Sequence, residues 1–128
     1  MAQTATVAQQ RHVICMKWGR KYGPEYVNRL YAMVRRHLDG DFNLVCLTDD
    51  SAGIRSEVQC LPIPPLNLPQ GLPARGWTKL ATFSADLHGL RGTALFLDVD
   101  VVVTGSLNEF FTLPGEFLII HDYKRPWR

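Results

Sequence analysis

A chain of 128 residues with 46% hydrophobic and 20% charged residues is long enough to bury one core and has the composition of an ordinary globular domain. A formal net charge of +2 calls for neither nucleic acid nor a membrane surface as partner, and no apolar run approaches the roughly 18 residues that a bilayer span needs. The three cysteines, Cys15, Cys46 and Cys60, are widely spaced and include no Cys-x-x-Cys pair, which implies no disulfide framework and no zinc site, and predicts a reducing, cytoplasmic setting.

Residues 1–11 are small and polar, lack an apolar core, and are expected to form a disordered leader rather than a signal peptide. Residues 12–17 are a short apolar run of strand type, followed by the loop Trp18-Gly19-Arg20-Lys21-Tyr22-Gly23. Pro24 suits a first helical position with Gly23 as cap. Val27, Leu30, Tyr31, Val34 and Leu38 then recur at helical spacing, with Glu25, Asn28, Arg29, Arg35 and Arg36 on the other side, and Asp39-Gly40 stops the helix. Residues 42–48 read as a second strand, closed by Asp49-Asp50-Ser51-Ala52-Gly53, and residues 57–63 hold a third, short one. Pro62, Pro64, Pro65, Pro69 and Pro73 remove too many backbone donors for a central strand or a helix interior, and predict a long surface loop of the kind that carries function. Residues 77–90 read as a helix with Leu80, Phe83, Ala85 and Leu87 inward, ended by Gly89 and Gly92.

The stretch that follows, Ala94-Leu95-Phe96-Leu97-Asp98-Val99-Asp100-Val101-Val102-Val103, is apolar on either side of two carboxylates. Such a run predicts a strand covered on both faces, usually in a parallel sheet. Asp98 and Asp100 share one face if the strand holds that far. Two carboxylates so close repel each other, and burial makes their ionisation worse, whereas a divalent cation resolves both problems. Asp-x-Asp at the carboxyl end of a buried strand is therefore a candidate site for Mg²⁺ or Mn²⁺; the alternative is a pair of solvated acids leading into the turn Thr104-Gly105-Ser106. Ser106 and Glu109 have the spacing of a capping box, so residues 107–111 are expected to make one helical turn. Residues 116–120 read as a last strand, before His121-Asp122-Tyr123 and a basic tail. Strands alternating with helices predict a doubly wound, parallel α/β sheet, in which ligands bind beyond the carboxyl ends of the strands. Lys17, Trp18 and Gly19, then Thr48 and Asp49, then Asp98 and Asp100 are expected to converge on that rim.

Trp77-Thr78-Lys79-Leu80, the helix it opens, and the run from Ala94 through Asp98-Val99-Asp100 to Gly105-Ser106-Leu107-Asn108-Glu109-Phe110-Phe111 together resemble glycosyltransferases of the GT-A fold, of the glycogenin-like family 8 and related bacterial nucleotide-sugar transferases. The likeness spans roughly residues 12–122 and corresponds to the N-terminal half of that domain; on it, residues 12–128 are expected to be the nucleotide-sugar-binding part. The resemblance implies a Rossmann-like sheet, mostly parallel, with helices on both faces. It implies transfer of a sugar from a nucleotide diphosphate sugar, by preference a UDP-sugar, to an acceptor. Asp98 and Asp100 would hold Mn²⁺ or Mg²⁺ against the diphosphate, with Asp98 also near the ribose and Val99 along the sugar or ribose. Lys17, Trp18, Gly19, Thr48 and Asp49 would frame the nucleoside, and Lys79 would approach the nucleotide phosphates. Otherwise Lys79 reads as a solvated helix lysine, Trp18 as cover for the sheet edge, and Asp49 as a turn former. The family's third metal ligand, usually a histidine, lies further along its domain than His121 does here.

Two other classes fit parts of the chain. Asp98-Val99-Asp100-Val101-Val102 also matches the signature of haloacid-dehalogenase-type phosphatases, where the first Asp is a nucleophile and the second an acid/base, with Mg²⁺. That signature normally opens its domain and is followed by a further Lys and acidic pair. A non-catalytic module that binds a nucleotide or a partner chain, or a homo-oligomer built on an exposed apolar surface, is the third.

Overall fold

The computed structural model describes residues 10–65, 82 and 87–119. The leader residues 1–9, most of the predicted helix 77–90 with Lys79, the second part of the proline-rich passage and the tail from residue 120, with His121, lie outside the described residues.

Four strands, β1 (Arg11–Lys17), β2 (Asn43–Thr48), β3 (Gln59–Leu61) and β4 (Thr93–Phe96), form one sheet in the order β3-β2-β1-β4, with every pair parallel. This is an α/β fold. β1 begins at Arg11, which pairs with Thr93, one residue before the expected boundary. Successive side chains point to opposite faces of a strand. Val13 and Cys15 of β1, with Leu44 and Cys46 of β2, enter one core, while Ile14, Met16, Val45 and Leu47 enter the other. A strand apolar on both faces with no polar alternation belongs at the centre of a parallel sheet, and β1 and β2 sit there.

The first core is covered by helix α1 (Pro24–His37). Gly23 is its N-cap, Pro24 opens it, Glu25 lies in the first turn, and Arg35, Arg36 and His37 lie in the last, each sign of charge at the end of the macrodipole that favours it. Its buried stripe is Val27, Leu30 and Val34, all at 0% exposure. Each such side chain contributes about 1.5–3 kcal/mol by leaving water. The chain leaves α1 through Gly40 at φ +79, where Arg11 donates to the carbonyls of Asp39 and Asp41 while its guanidinium lies over the Phe111 ring. Asn28 on α1 donates to Gly53 O (3.0 Å) and accepts from Arg55 N (2.9 Å), which pins the β2–β3 connection against the helix.

The second core has no described helix over it; Trp18, Ile63, Leu87, Leu90 and Phe96 pack there, and the end of the predicted helix 77–90 is a turn closed by Leu90 N donating to Leu87 O (2.9 Å).

Parallel register aligns the three cysteines: Cys15 faces Cys46 and Cys46 faces Cys60 across β1, β2 and β3. The side-chain hydrogen bond with Cys46, then burial, pushes the Cys15 thiol up, and burial does the same to Cys60. These are core side chains, with free thiols. At the opposite end of the sheet His12 is also buried, with Nε2 2.7 Å from Arg91 O and Nδ1 3.3 Å from Asn43 Nδ2. These partners suit the neutral ring, Nε2–H donating and Nδ1 accepting.

Three expectations are corrected. The apolar run at residues 94–103 is a strand only to Phe96, extended by Leu97 N donating to Ile14 O (2.9 Å). Asp98 and Asp100, poor strand formers and good turn formers, break it, and Val101 N donates to Asp98 O (3.3 Å). The run is not covered on both faces either: Ala94 is exposed and Val102 is 76% exposed, while Val99 and Leu107 are buried against the α1 side. Residues 107–111 do make a turn of helix, a 3₁₀ turn over Asn108–Phe111, but the capping box does not form: Ser106 Oγ accepts from Asn108 N (3.1 Å) rather than Glu109 N, and no side chain caps the turn itself. Residues 116–119 of the strand expected over 116–120 are exposed and irregular, bending at 116 and 117, with Phe117 at 66% and Ile119 at 78%. No described strand lies beside them to receive their backbone groups.

Gly92 has φ +105, and a Cβ added there would run into the Gln10 carbonyl oxygen. Gly92→Ala should therefore destabilise the chain by about 1–3 kcal/mol, visible as a lowered denaturation midpoint in urea. Glu57 is held down to about 2 by the Arg55 guanidinium that donates to it (2.8 Å), then by its own backbone amide. A depressed carboxyl favours folding fully above pH 4.5, its ordinary value here, and that contribution fades as pH falls from there toward about 2. The pair is exposed, so the effect on stability is small and screened by salt. A carboxyl chemical-shift titration should give the low midpoint in the wild type and a midpoint back near the ordinary range in Arg55→Ala.

Candidate functional site

Because all strands run the same way, the carboxyl ends of β1, β2 and β4 share one rim. Register sets Lys17 beside Thr48 at the ends of β1 and β2, both buried. Lys17 forms no ion pair among the described residues; its stem lies in the protein at the lip of the sheet. The Thr48 hydroxyl donates to Asp50 O (3.0 Å) and accepts from Asp50 N (3.1 Å), and Asp50 Oδ1 accepts from Ala52 N (2.9 Å), so the loop after β2 is folded on its own side chains. Trp18 is half-buried and packs against the cluster of Ile14, Met16, Val45 and Leu47.

The loops after β1 and β2 are joined by one bond: Gly19 N donates to Asp49 Oδ2 (3.1 Å), with Gly19 at φ +69, a conformation open to glycine at no steric cost. Asp49 is thus a brace between loops as well as a rim carboxylate.

After β4 the turn Asp98-Val99-Asp100 sits beside the end of β1. Val99 is 5% exposed and lies in the core with α1; its side chain anchors the turn from below rather than lining the rim. Asp98 is half-buried and Asp100 exposed on either side of it. Asp100 Oδ2 accepts from the Tyr22 hydroxyl (2.9 Å), joining the turn to the loop after β1. Strand order runs outward from β1 to β2 and β3, then resumes at β4 on the other flank of β1. The rim between β1 and β4 is therefore the topological switch point, the place where such sheets bind ligands.

The structure thus brings together Gly19 with Asp49, Lys17 with Thr48, and Asp100 with Tyr22, whereas Asp98 and Asp100 lie past the end of β4 at Phe96, so the strand alternation expected to set both on one face does not reach them. Lys79 lies outside the described residues. Tyr22 is the participant that sequence reading missed. Its loop position was visible, but its partner is 78 positions away and no spacing rule links them.

Among the described residues no group of three His, Cys, Asp or Glu side chains gathers. Mg²⁺ and its relatives need no such cage, being held by about one or two carboxylates together with substrate phosphates and water. Asp98 and Asp100 offer only oxygen donors, the kind that this manner of binding uses. No protein-family model matches the chain, nor does any curated protein or solved structure.

Proposed function

We propose that this chain is the donor-binding part of a metal-dependent glycosyltransferase of GT-A type, which moves a sugar from a nucleotide diphosphate sugar, by preference a UDP-sugar, to an acceptor. The observation that carries this reading is the placement of the Asp98–Val99–Asp100 turn at the switch point between β1 and β4, with Asp100 hydrogen-bonded to the loop after β1. In the reaction the sugar anomeric carbon exchanges its bond to the diphosphate oxygen for one to the acceptor's nucleophilic atom, whose proton is released, and negative charge grows on the leaving diphosphate. A bound Mn²⁺ or Mg²⁺ supplies Lewis-acid neutralisation of that charge. Asp98 and Asp100 hold the ion at the lip. Lys17, Trp18, Gly19, Thr48 and Asp49 frame the nucleoside, the Gly19–Asp49 bond fixing the distance between the two loops that do so. The buried Val99 keeps the turn from yielding when the diphosphate binds.

Thermal unfolding in the presence of UDP, GDP, ADP and their sugars, with and without Mn²⁺, tests the reading. Ligand at a hundredfold excess over Kd adds about 2.7 kcal/mol. A Mn²⁺-dependent rise in midpoint with one nucleoside diphosphate, UDP first, is expected. No rise with any nucleotide, together with Mg²⁺-dependent phosphate release from a generic phosphate ester, would replace it with the phosphatase chemistry of Asp98 and Asp100.

A further inference from the structure

Asp100 is exposed, and an exposed carboxylate rotates freely unless something holds it. Tyr22 holds it: the phenol donates to Oδ2 at 2.9 Å and leaves Oδ1 uncommitted by that bond. The phenol is itself fixed. Its ring meets Tyr26 edge-on at 4.8 Å and 70°, the Lys21 ammonium lies 5.3 Å from its centroid, and Gly23 and Pro24 start α1 immediately after it. Tyr26 is on α1, and the fully buried Val27 beside it locks that turn of helix to the sheet.

We propose that Tyr22 is a positioning residue for a divalent cation: its hydroxyl orients the Asp100 carboxylate so that the other oxygen faces the lip of the sheet between β1 and β4. This rests on the reading of Asp98 and Asp100 as ion-holding carboxylates. A hydrogen bond to a ligating carboxylate sets its orientation, and losing one such partner typically costs about 10–100-fold in metal affinity. The same bond couples the site to the donor loops, because Tyr22 and Gly19 belong to one segment and Gly19 is tied to Asp49.

The test is titration of the full chain with Mn²⁺ alone, followed by water-proton relaxation, for the wild type, Tyr22→Phe and Asp100→Ala. A companion measurement follows the Tyr22 ring-carbon resonance during a Mg²⁺ titration. Tyr22→Phe should bind Mn²⁺ about tenfold or more weakly, with a metal-free melting midpoint close to the wild type. The Tyr22 ring carbon should shift with Mg²⁺ in the wild type and stay still in Asp100→Ala. Wild-type Mn²⁺ affinity in Tyr22→Phe, with binding lost in Asp100→Ala, would overturn the positioning role and leave the metal reading standing: the phenol would then only clip two loops. Equal Mn²⁺ affinity in the wild type and Asp100→Ala would overturn the metal reading, and the positioning role with it.

Discussion

Leu30→Ala is expected to lower the unfolding free energy by about 2–5 kcal/mol, the range for large-to-small changes at fully buried leucines. Leu30 is at 0% exposure, in the middle of the α1 stripe, in one cluster with Val13, Cys15, Leu44 and Cys46 of the two central strands. Those strands are braced from their other face as well, so the site has little room to collapse around the lost methyls, which places the cost toward the upper part of the range. Domains of this size carry only about 5–15 kcal/mol in total, so the change removes a large fraction of it. Urea denaturation followed by far-ultraviolet circular dichroism should show a lower midpoint with an unchanged slope. The same replacement at Phe110, exposed at 37% on the 3₁₀ turn, should cost far less. Equal losses at the two positions would contradict the placement of the core beneath α1.

Asp100→Ala is expected to have the opposite profile: a fall of at most a few degrees in the ligand-free midpoint, and loss of the larger Mn²⁺-dependent increment with a nucleoside diphosphate. Asp100 is exposed, and among the described residues it has one hydrogen bond, from Tyr22. A bond of that kind contributes about 1 kcal/mol. The increment at stake, about 2.7 kcal/mol at a hundredfold excess of ligand, is larger. In a chain of 128 residues it amounts to roughly ten degrees of melting temperature, against about four for the lost hydrogen bond, a difference easily resolved in a thermal scan. Retention of the full increment in Asp100→Ala would place the ion elsewhere.

The first part of the sheet was legible because its signals are local. The apolar runs of β1 and β2, Gly23-Pro24 at the start of α1 and the stripe Val27, Leu30, Val34 each announce themselves within a few residues. The convergence of strand ends on one rim followed from the alternation of strand and helix. What stayed hidden depends on partners far along the chain. Residues 94–103 look like one long strand, and only the structure shows the acidic pair diverting the backbone after Phe96, so that Val99 and Leu107 return beneath α1. Residues 116–119 are apolar enough for a strand, but a strand also needs a neighbour, and composition says nothing of neighbours. The alignment of Cys15, Cys46 and Cys60 is a property of register alone. Within the site, the types and spacing of Asp98 and Asp100 were readable, whereas the Tyr22–Asp100 and Gly19–Asp49 bonds, spanning 78 and 30 positions, were not.

The most direct test of the site is paramagnetic broadening in amide-correlated NMR spectra, with substoichiometric Mn²⁺ added to the full chain in the presence of UDP. The amides of Asp98, Asp100 and Val101 should broaden first, followed by Gly19 and Tyr22 on the neighbouring loop, while those near Asp39 and Asp41 at the far end of α1 stay sharp. Broadening centred on Asp39 and Asp41, or spread evenly over the surface carboxylates, would contradict a cation site between β1 and β4.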